Sequence, residues 1–280
     1  MTVAMCRAAA IEKLRFVTDD PVFETDQLLA LSLGRPLHEL VAIRREEIDE
    51  AARAAFEAAV ERRRRHEPLQ YICGEWEFFG LKMYCGEGCL IPRPETETLC
   101  ELAVKHLPRR GRMLDLCTGS GCIAVAVLNN RRDVTAAAVD VSEQALVYAR
   151  RNAEAHAVSD RLTVVHADLA EYVPDGKIDV LTANPPYIKT DDIETLSDEV
   201  RHEPRLALDG GADGLMFYRA IAARYTPYLA ERGEMLLEVG YDTAEGVAEL
   251  FRRANFAVGL YPDRFGVKRV CRARKTILNP

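Results

Sequence analysis

From Thr96 onward, short apolar runs alternate with stretches of helical period, and this alternation limits the possible folds more than any other feature of the chain. "ETLCELAVKHL" reads as helix, "RMLDL" as strand, "CIAVAVLNN" as helix, "VTAAAVDV" as strand, "EQALVYARRNAEAH" as helix, and "LTVVHADL" and "KIDVLTA" as strands. "GLMFYRAIAARYTPYLA" then reads as helix, "EMLLEVG" as strand, "TAEGVAELFRRA" as helix, and "FAVGLYPD" and "VKRVCRARK" as closing strands. Strands that alternate with helices build a parallel sheet covered on both faces, with ligands at the strands' carboxyl ends where the strand order reverses. Up to about Tyr71 the texture differs: "FETDQLLALSLG" has apolar residues at helical spacing and stops at Gly34, and "REEIDEAARAAFEAAVERRRR" is periodic at about 3.6 residues. Between them, "YICGEWEFFGLKMYCGEGCLIPRPETE" is aromatic and punctuated by glycine, as a hairpin is. The expected division is a helical domain over 1–75, a β-hairpin linker over 76–95 and the α/β domain over 96–280.

"MLDLCTGSGCIAVAV" is a strand, a glycine-rich turn and a helix. Gly119 and Gly121 let the backbone turn tightly and approach a ligand, while the helix behind them opens with free N–H groups. Gly119, Gly121 and Ala124 also satisfy the dinucleotide pattern, with Asp140 ending the next strand. Either a nicotinamide dinucleotide or S-adenosylmethionine would use Asp140 for its ribose hydroxyls; a bare turn is the bland alternative. Asp115 favours the second ligand, because a pyrophosphate beside a buried carboxylate is repelled and a sulfonium with an ammonium is attracted. Asp168, read as the end of the third strand, can accept from an adenine amino group, with Leu169 packing on the ring; a strand-end turn former is the commoner fate of such an Asp.

"NPPY", Asn184 to Tyr187, follows the strand "KIDVLTA". Two prolines remove two backbone donors and fix two φ angles, so the strand must stop there on a stiff corner. A planar nitrogen, in a carboxamide or an exocyclic base amine, is a poor nucleophile and gains positive charge as it accepts a methyl group. Two acceptors against its N–H bonds hold it in line and stabilise that charge. Asn184 offers a side-chain oxygen, the carbonyl of Pro185 offers the second, Pro186 completes the corner, and the Tyr187 ring can stack on the flat group. No metal and no dedicated strong base is required.

The glycine loop, Asp140, Asp168 and "NPPY", in this order, resemble class I S-adenosylmethionine-dependent methyltransferases acting on planar nitrogens. Among these, the chain resembles the release factor glutamine N5-methyltransferases of the PrmC/HemK family. Segments along nearly its whole length carry the likeness: "PLQYICGEWEFFG", "IPRPETE", "LDLCTGSGCIAVAV", "NPPYI", "EPRLALDGGADGL", "LEVGYD" and the closing Asp263 to Val270. The resemblance implies an α/β fold with a Rossmann-like seven-stranded methyltransferase sheet and a small amino-terminal helical substrate-docking domain. It implies S-adenosyl-L-methionine as cofactor and, as protein substrate, the Gly-Gly-Gln glutamine of class I peptide chain release factors. Carried over, Cys117, Thr118, Gly119, Ser120 and Gly121 would line the methionine part of the cofactor beside Asp115. Asp140 would hold the ribose, Asp168 and Leu169 the adenine, and Asn184, Pro185, Pro186 and Tyr187 the substrate glutamine, with Asn184 also binding the cofactor. Cys117 stands where family members often have Gly and Thr243 where Gln is frequent; a positive φ at Cys117 would strain the loop.

A net charge of −7 argues against a protein that grips nucleic acid chiefly by neutralising phosphates. The one basic run, Arg62 to Arg65, reads as cations at a helix carboxyl end, with a docking surface as its alternative. The eight cysteines lie mostly in apolar or glycine-containing segments without a CxxC pair, as reduced core thiols do. No apolar stretch is long enough to span a bilayer, and Arg7 and Glu12 interrupt any secretory core, so a cytoplasmic location is expected. Arg93 and Glu97 in "IPRPETE" are expected near the pocket mouth or in an ion pair between domains. The competing readings are a methyltransferase for adenine or guanine amines, a glutamine methyltransferase for a ribosomal protein, a silent partner-binding homologue and a nicotinamide oxidoreductase.

Overall fold

The computed structural model describes residues 1–275, which fall into two compact units. The smaller comprises Met1–Glu75 together with Ser197–His202. Its helices are α1 (Val3–Leu14), α2 (Pro21–Leu33), α3 (Glu50–Arg64) and the short α4 (Leu69–Cys73). Local chemistry sets their ends: Asp20 and Asp49 accept the N–H groups of Phe23 and Ala52, and Gly34 closes α2 at φ +60°. The Asp49 cap is why α3 starts at Glu50 and the preceding "REEI" stays outside it. The arginine run is not a uniform solvated face. Arg62, Arg64 and Arg65 pair with Glu67 and Glu61 at the surface, whereas Arg63 is 1% exposed and holds Glu24 (2.6 Å) and Glu199 (2.8 Å).

The larger unit begins at Trp76 and contains the rest of the described chain. A two-stranded ladder, β1 (Glu75–Phe78) with β2 (Leu81–Tyr84), starts there. α5 (Glu97–His106), β3 (Arg112–Leu116), α6 (Cys122–Asn130), β4 (Thr135–Asp140), α7 (Glu143–Ala155), β5 (Leu162–His166) and β6 (Ile178–Ala183) follow. α8 (Met216–Tyr225), β7 (Leu229–Glu238), α9 (Ala244–Arg253), β8 (Phe256–Pro262) and β9 (Lys268–Lys275) complete the order. The seven-stranded sheet runs β5-β4-β3-β6-β7-β9-β8, with β3 to β7 parallel and β9 antiparallel to both neighbours. Side chains alternate across it: Met113 joins Leu99, Val125 and Ala153 on one face, while Leu114 and Leu116 join Tyr218, Val247 and Phe251 on the other. The order reverses between β3 and β6, so a crevice opens beyond their carboxyl ends.

This is the doubly covered sheet that the alternation predicts, with two boundaries shifted. α8 ends at Tyr225 because Pro227 cannot continue a helix, and the next strand begins at Leu229 instead of at "EMLLEVG". β5 stops at His166, so Asp168 lies beyond the strand and not at its end. Among the described residues no helix is long and apolar enough to cross a membrane.

Candidate active site

Five residues link β3 to α6, and three of them take positive φ: Cys117 (+53°), Gly119 (+54°) and Gly121 (+74°). Glycine adopts this conformation freely; at Cys117 it costs about 1–2 kcal/mol, the strain foreseen for this position. Gly121 is also tightly packed, since a Cβ there would lie 3.0 Å from the Ala149 methyl of α7 and push it aside. Asp115 holds the loop from below. The alternation of β3 turns it toward α6, fully buried, where it accepts from Thr118 Oγ1 (2.5 Å) and Thr182 Oγ1 (2.6 Å). Burial pushes its carboxyl up to about 7, against the pull of those bonds. Asn152 of α7 clamps the loop from the side, donating to the carbonyls of Ser120 (2.9 Å) and Tyr84 (3.0 Å) and accepting from Tyr84 N (2.7 Å).

A cavity of about 430 Å³ opens in the crevice. Of the residues singled out in the sequence, Cys117, Gly119, Asp140, Asp168, Leu169, Asn184 and Pro186 line it. Asp115, Thr118, Ser120, Gly121, Pro185 and Tyr187 do not; the first four support the loop behind its surface. Asp140 accepts from Gly119 N and Ser142 N, both at 2.8 Å, one bond on each oxygen, so each oxygen keeps acceptor capacity. Burial raises its pKa, and these N–H bonds draw it back. Asp168 is exposed and caps Ala170 N (2.7 Å), the turn-forming role, while its neighbour Leu169 is buried against the cavity wall. No lysine or arginine lines the cavity among the described residues, so it offers carboxylates and apolar walls but no counter-charge for a pyrophosphate.

β6 ends at Ala183 and the corner begins at once. Asn184 lies half-buried on the cavity wall and donates from Nδ2 to Thr96 Oγ1 at 3.4 Å. Among the described residues no backbone N–H donates to the Pro185 carbonyl. Beyond the corner the chain is fixed by Ile188, whose N–H meets Leu208 O (3.0 Å) and whose carbonyl accepts Gly210 N (2.7 Å). Gly210 has to be glycine: a Cβ would stand 2.7 Å from the Pro186 carbonyl oxygen and from the Tyr187 Cα. Tyr187 packs its ring over Gly240, where a Cβ would come within 3.0 Å of it, and its phenol is pushed well above the usual range by burial and by Glu238.

Several lining residues went unread in the sequence. Leu90, Leu206 and Met216 bring apolar surface to the cavity from loops and a helix end. Leu206 and Met216 are about half exposed, so a hydrophobic residue inside a Gly- and Pro-rich segment was the available signal. Arg93 and Glu97 stay outside the lining. Arg93 pairs with buried Glu203, which also accepts Ile91 N (2.9 Å), and Glu97 accepts Phe79 N (2.8 Å); both tie loops within the larger unit.

The family model "Methyltransferase small domain" matches residues 95–212, and "PrmC N-terminal domain" matches 6–74. The chain is 41% identical to a release factor glutamine methyltransferase of Geobacter sulfurreducens over 83% of its length and 82% of the relative's. It is 34% identical to one from Thermodesulfovibrio yellowstonii over 97% and 90%. A solved methyltransferase from Pyrococcus furiosus shares the fold at a TM-score of 0.55, with 20% identity, covering 71% of this chain and 91% of that one.

Proposed function

The chain belongs to the release factor glutamine methyltransferase family, and on that premise we infer that it methylates N5 of the glutamine in the Gly-Gly-Gln loop of class I peptide chain release factors. The observation that carries this reading is the corner after β6. It leaves the Pro185 carbonyl outside the sheet's pairing and sets the Asn184 amide on the wall of an apolar cavity.

The cavity fits S-adenosylmethionine by the chemistry of its donors: acceptor-rich, free of cationic side chains, and cradled by a backbone that a Cβ would strain at Gly119 and Gly121. Asp140 would take the ribose hydroxyls, Asp168 and Leu169 the adenine, and Cys117 and Gly119 the methionine part. Asp115, Thr118, Ser120 and Gly121 hold that surface in place from behind. When bound, the cofactor supplies a methyl group on a positively charged sulfur.

The protein's own work is on the acceptor. Asn184 Oδ1 and the Pro185 carbonyl accept the two N–H bonds of the glutamine side chain, which aligns its nitrogen and stabilises the positive charge it gains. Pro186 and Tyr187 stiffen the corner and give the flat amide a wall to lie against. Residues 1–75 serve as the docking domain for the protein substrate. The test is incubation of the purified protein with labelled S-adenosylmethionine and a release factor. Label on the Gly-Gly-Gln glutamine, abolished by Gln→Ala in the acceptor, is expected; label on RNA, DNA or a ribosomal protein instead refutes the assignment.

A further inference from the structure

A second cavity, of about 760 Å³, opens at the end of the sheet away from the crevice. It lies where β7 begins and β9 ends, because those two strands run antiparallel, and it reaches the carboxyl end of α5. Arg272 and Arg274 stand two residues apart in β9 and so share a face, and their partners in β8 are Gly259 and Ala257. Side chains this small leave room over that face, and α5 stops at its edge at His106.

The walls of this hollow run against the charge of the whole chain. In a protein of net charge −7, the described residues place five cations there, Lys105, Arg232, Arg272, Arg274 and Lys275, against two carboxylates, Glu231 and Glu234. Glu234 is 4% exposed and fully engaged: Oε1 meets His106 Nδ1 (2.5 Å) and Oε2 accepts from Arg272 Nε (2.8 Å). Glu231 is then the one carboxylate left for four cations. Among the described residues the side chains of Lys105, Arg232 and Arg274 make no ion pair and no hydrogen bond. Lys275 donates to the Leu229 carbonyl at 3.4 Å, and burial, then the field of Lys177, holds its ammonium below the usual range.

A cleft walled by one sign of charge concentrates the opposite ion. Arg232 and Arg274 supply planar forks that match two oxygens of a phosphate, and Lys105 and Lys275 supply point charges for the others. Ala257 is the one apolar residue described in the lining, so the hollow has no wall for a nucleobase or an acyl chain. We propose that it binds a compact polyvalent oxyanion, pyrophosphate or the phosphate tail of a small phosphorylated molecule, through Arg232, Arg274, Lys105 and Lys275. The site is separate from the crevice, so it stands or falls independently of the methyl-transfer reading.

The test is calorimetric titration of the full-length protein with inorganic pyrophosphate in low-chloride buffer, with and without saturating S-adenosylmethionine. One pyrophosphate per chain should bind saturably, with or without the other ligand. Arg232 and Arg274 are exposed, so their alanine variants keep the fold. Each should weaken binding by about ten- to a hundredfold, the worth of a charge-assisted hydrogen bond. Arg264→Ala, an exposed cation in the turn between β8 and β9, should leave it within about twofold. Adenosine triphosphate should bind within about threefold of inorganic triphosphate, because the base gains no contact. Absence of saturation by about 1 mM, an equal loss in Arg264→Ala, or displacement by S-adenosylmethionine overturns the site. An RNA oligonucleotide that binds more tightly than inorganic triphosphate overturns the compact anion as its ligand.

Discussion

Replacing Asn184 with Ala separates a catalytic amide from a structural one, because the structure gives the two roles very different magnitudes. The side chain is half-buried and its one protein bond, to Thr96, is long at 3.4 Å. Losing that bond should cost the fold no more than about 1 kcal/mol, since a neutral hydrogen bond contributes about that much net and this one is poorly formed. In catalysis the same oxygen is one of two fixed acceptors facing a nitrogen that turns positive. Removing one such group from a preorganised site costs about 3–4 kcal/mol, or two to three orders of magnitude in kcat. Cofactor affinity should change less than about threefold, as Asp140 at the end of β4 and Asp168 in the turn beyond β5 are untouched. The assay is steady-state methylation of a release factor, with calorimetric titration of S-adenosylmethionine and a urea unfolding curve for each protein. A kcat within threefold of wild type, or a loss that appears wholly in cofactor binding, refutes the assignment of Asn184 to the acceptor.

Other outcomes follow from the buried charges. Arg63→Met leaves Glu24 in the helical core without its cation, so stability of that unit should fall by about 3–5 kcal/mol in denaturant melts, while Arg64→Ala at the surface should change it by less than about 1 kcal/mol. Asp115 titrates at about 7 in the fold against 3.8 for a free side chain, so the native state holds the proton longer and its stability falls as pH rises across that window. Relative to Asp115→Asn, the wild type should lose up to roughly 4 kcal/mol between the two pKa values, read from urea midpoints at several pH values; parallel curves for the two proteins would contradict the buried-proton account.

Much of the larger unit could be read without coordinates because its signals are local. "RMLDL", "TAAAVD" and "IDVLTA" are strands by apolar content and length, and the two prolines of "NPPY" end β6 whatever surrounds them. The positive φ at Gly119 and Gly121 follows from a turn that only glycine makes cheaply, and the acidic residue at the end of β4 falls at the expected spacing. These features depend on neighbours within a few residues, so the order of the amino acids was sufficient to set them.

What only the tertiary structure decided is which side chains face the cavity and which stand behind it. Asp115 and Asp140 both lie in the last two residues of a strand and are alike in sequence, yet the pleat of β3 sends the first under α6 while the second reaches the cavity. Arg63 looks like its three basic neighbours, but it faces the core, where Glu24 and Glu199 arrive from positions far away in the chain. Thr96 and Asn184 stand 88 positions apart, and only the packed fold brings the Asn184 amide onto the Thr96 hydroxyl. Burial and long-range pairing are properties of the packed chain, and a linear pattern that repeats every two or every 3.6 residues says which face a residue takes without saying what waits on that face.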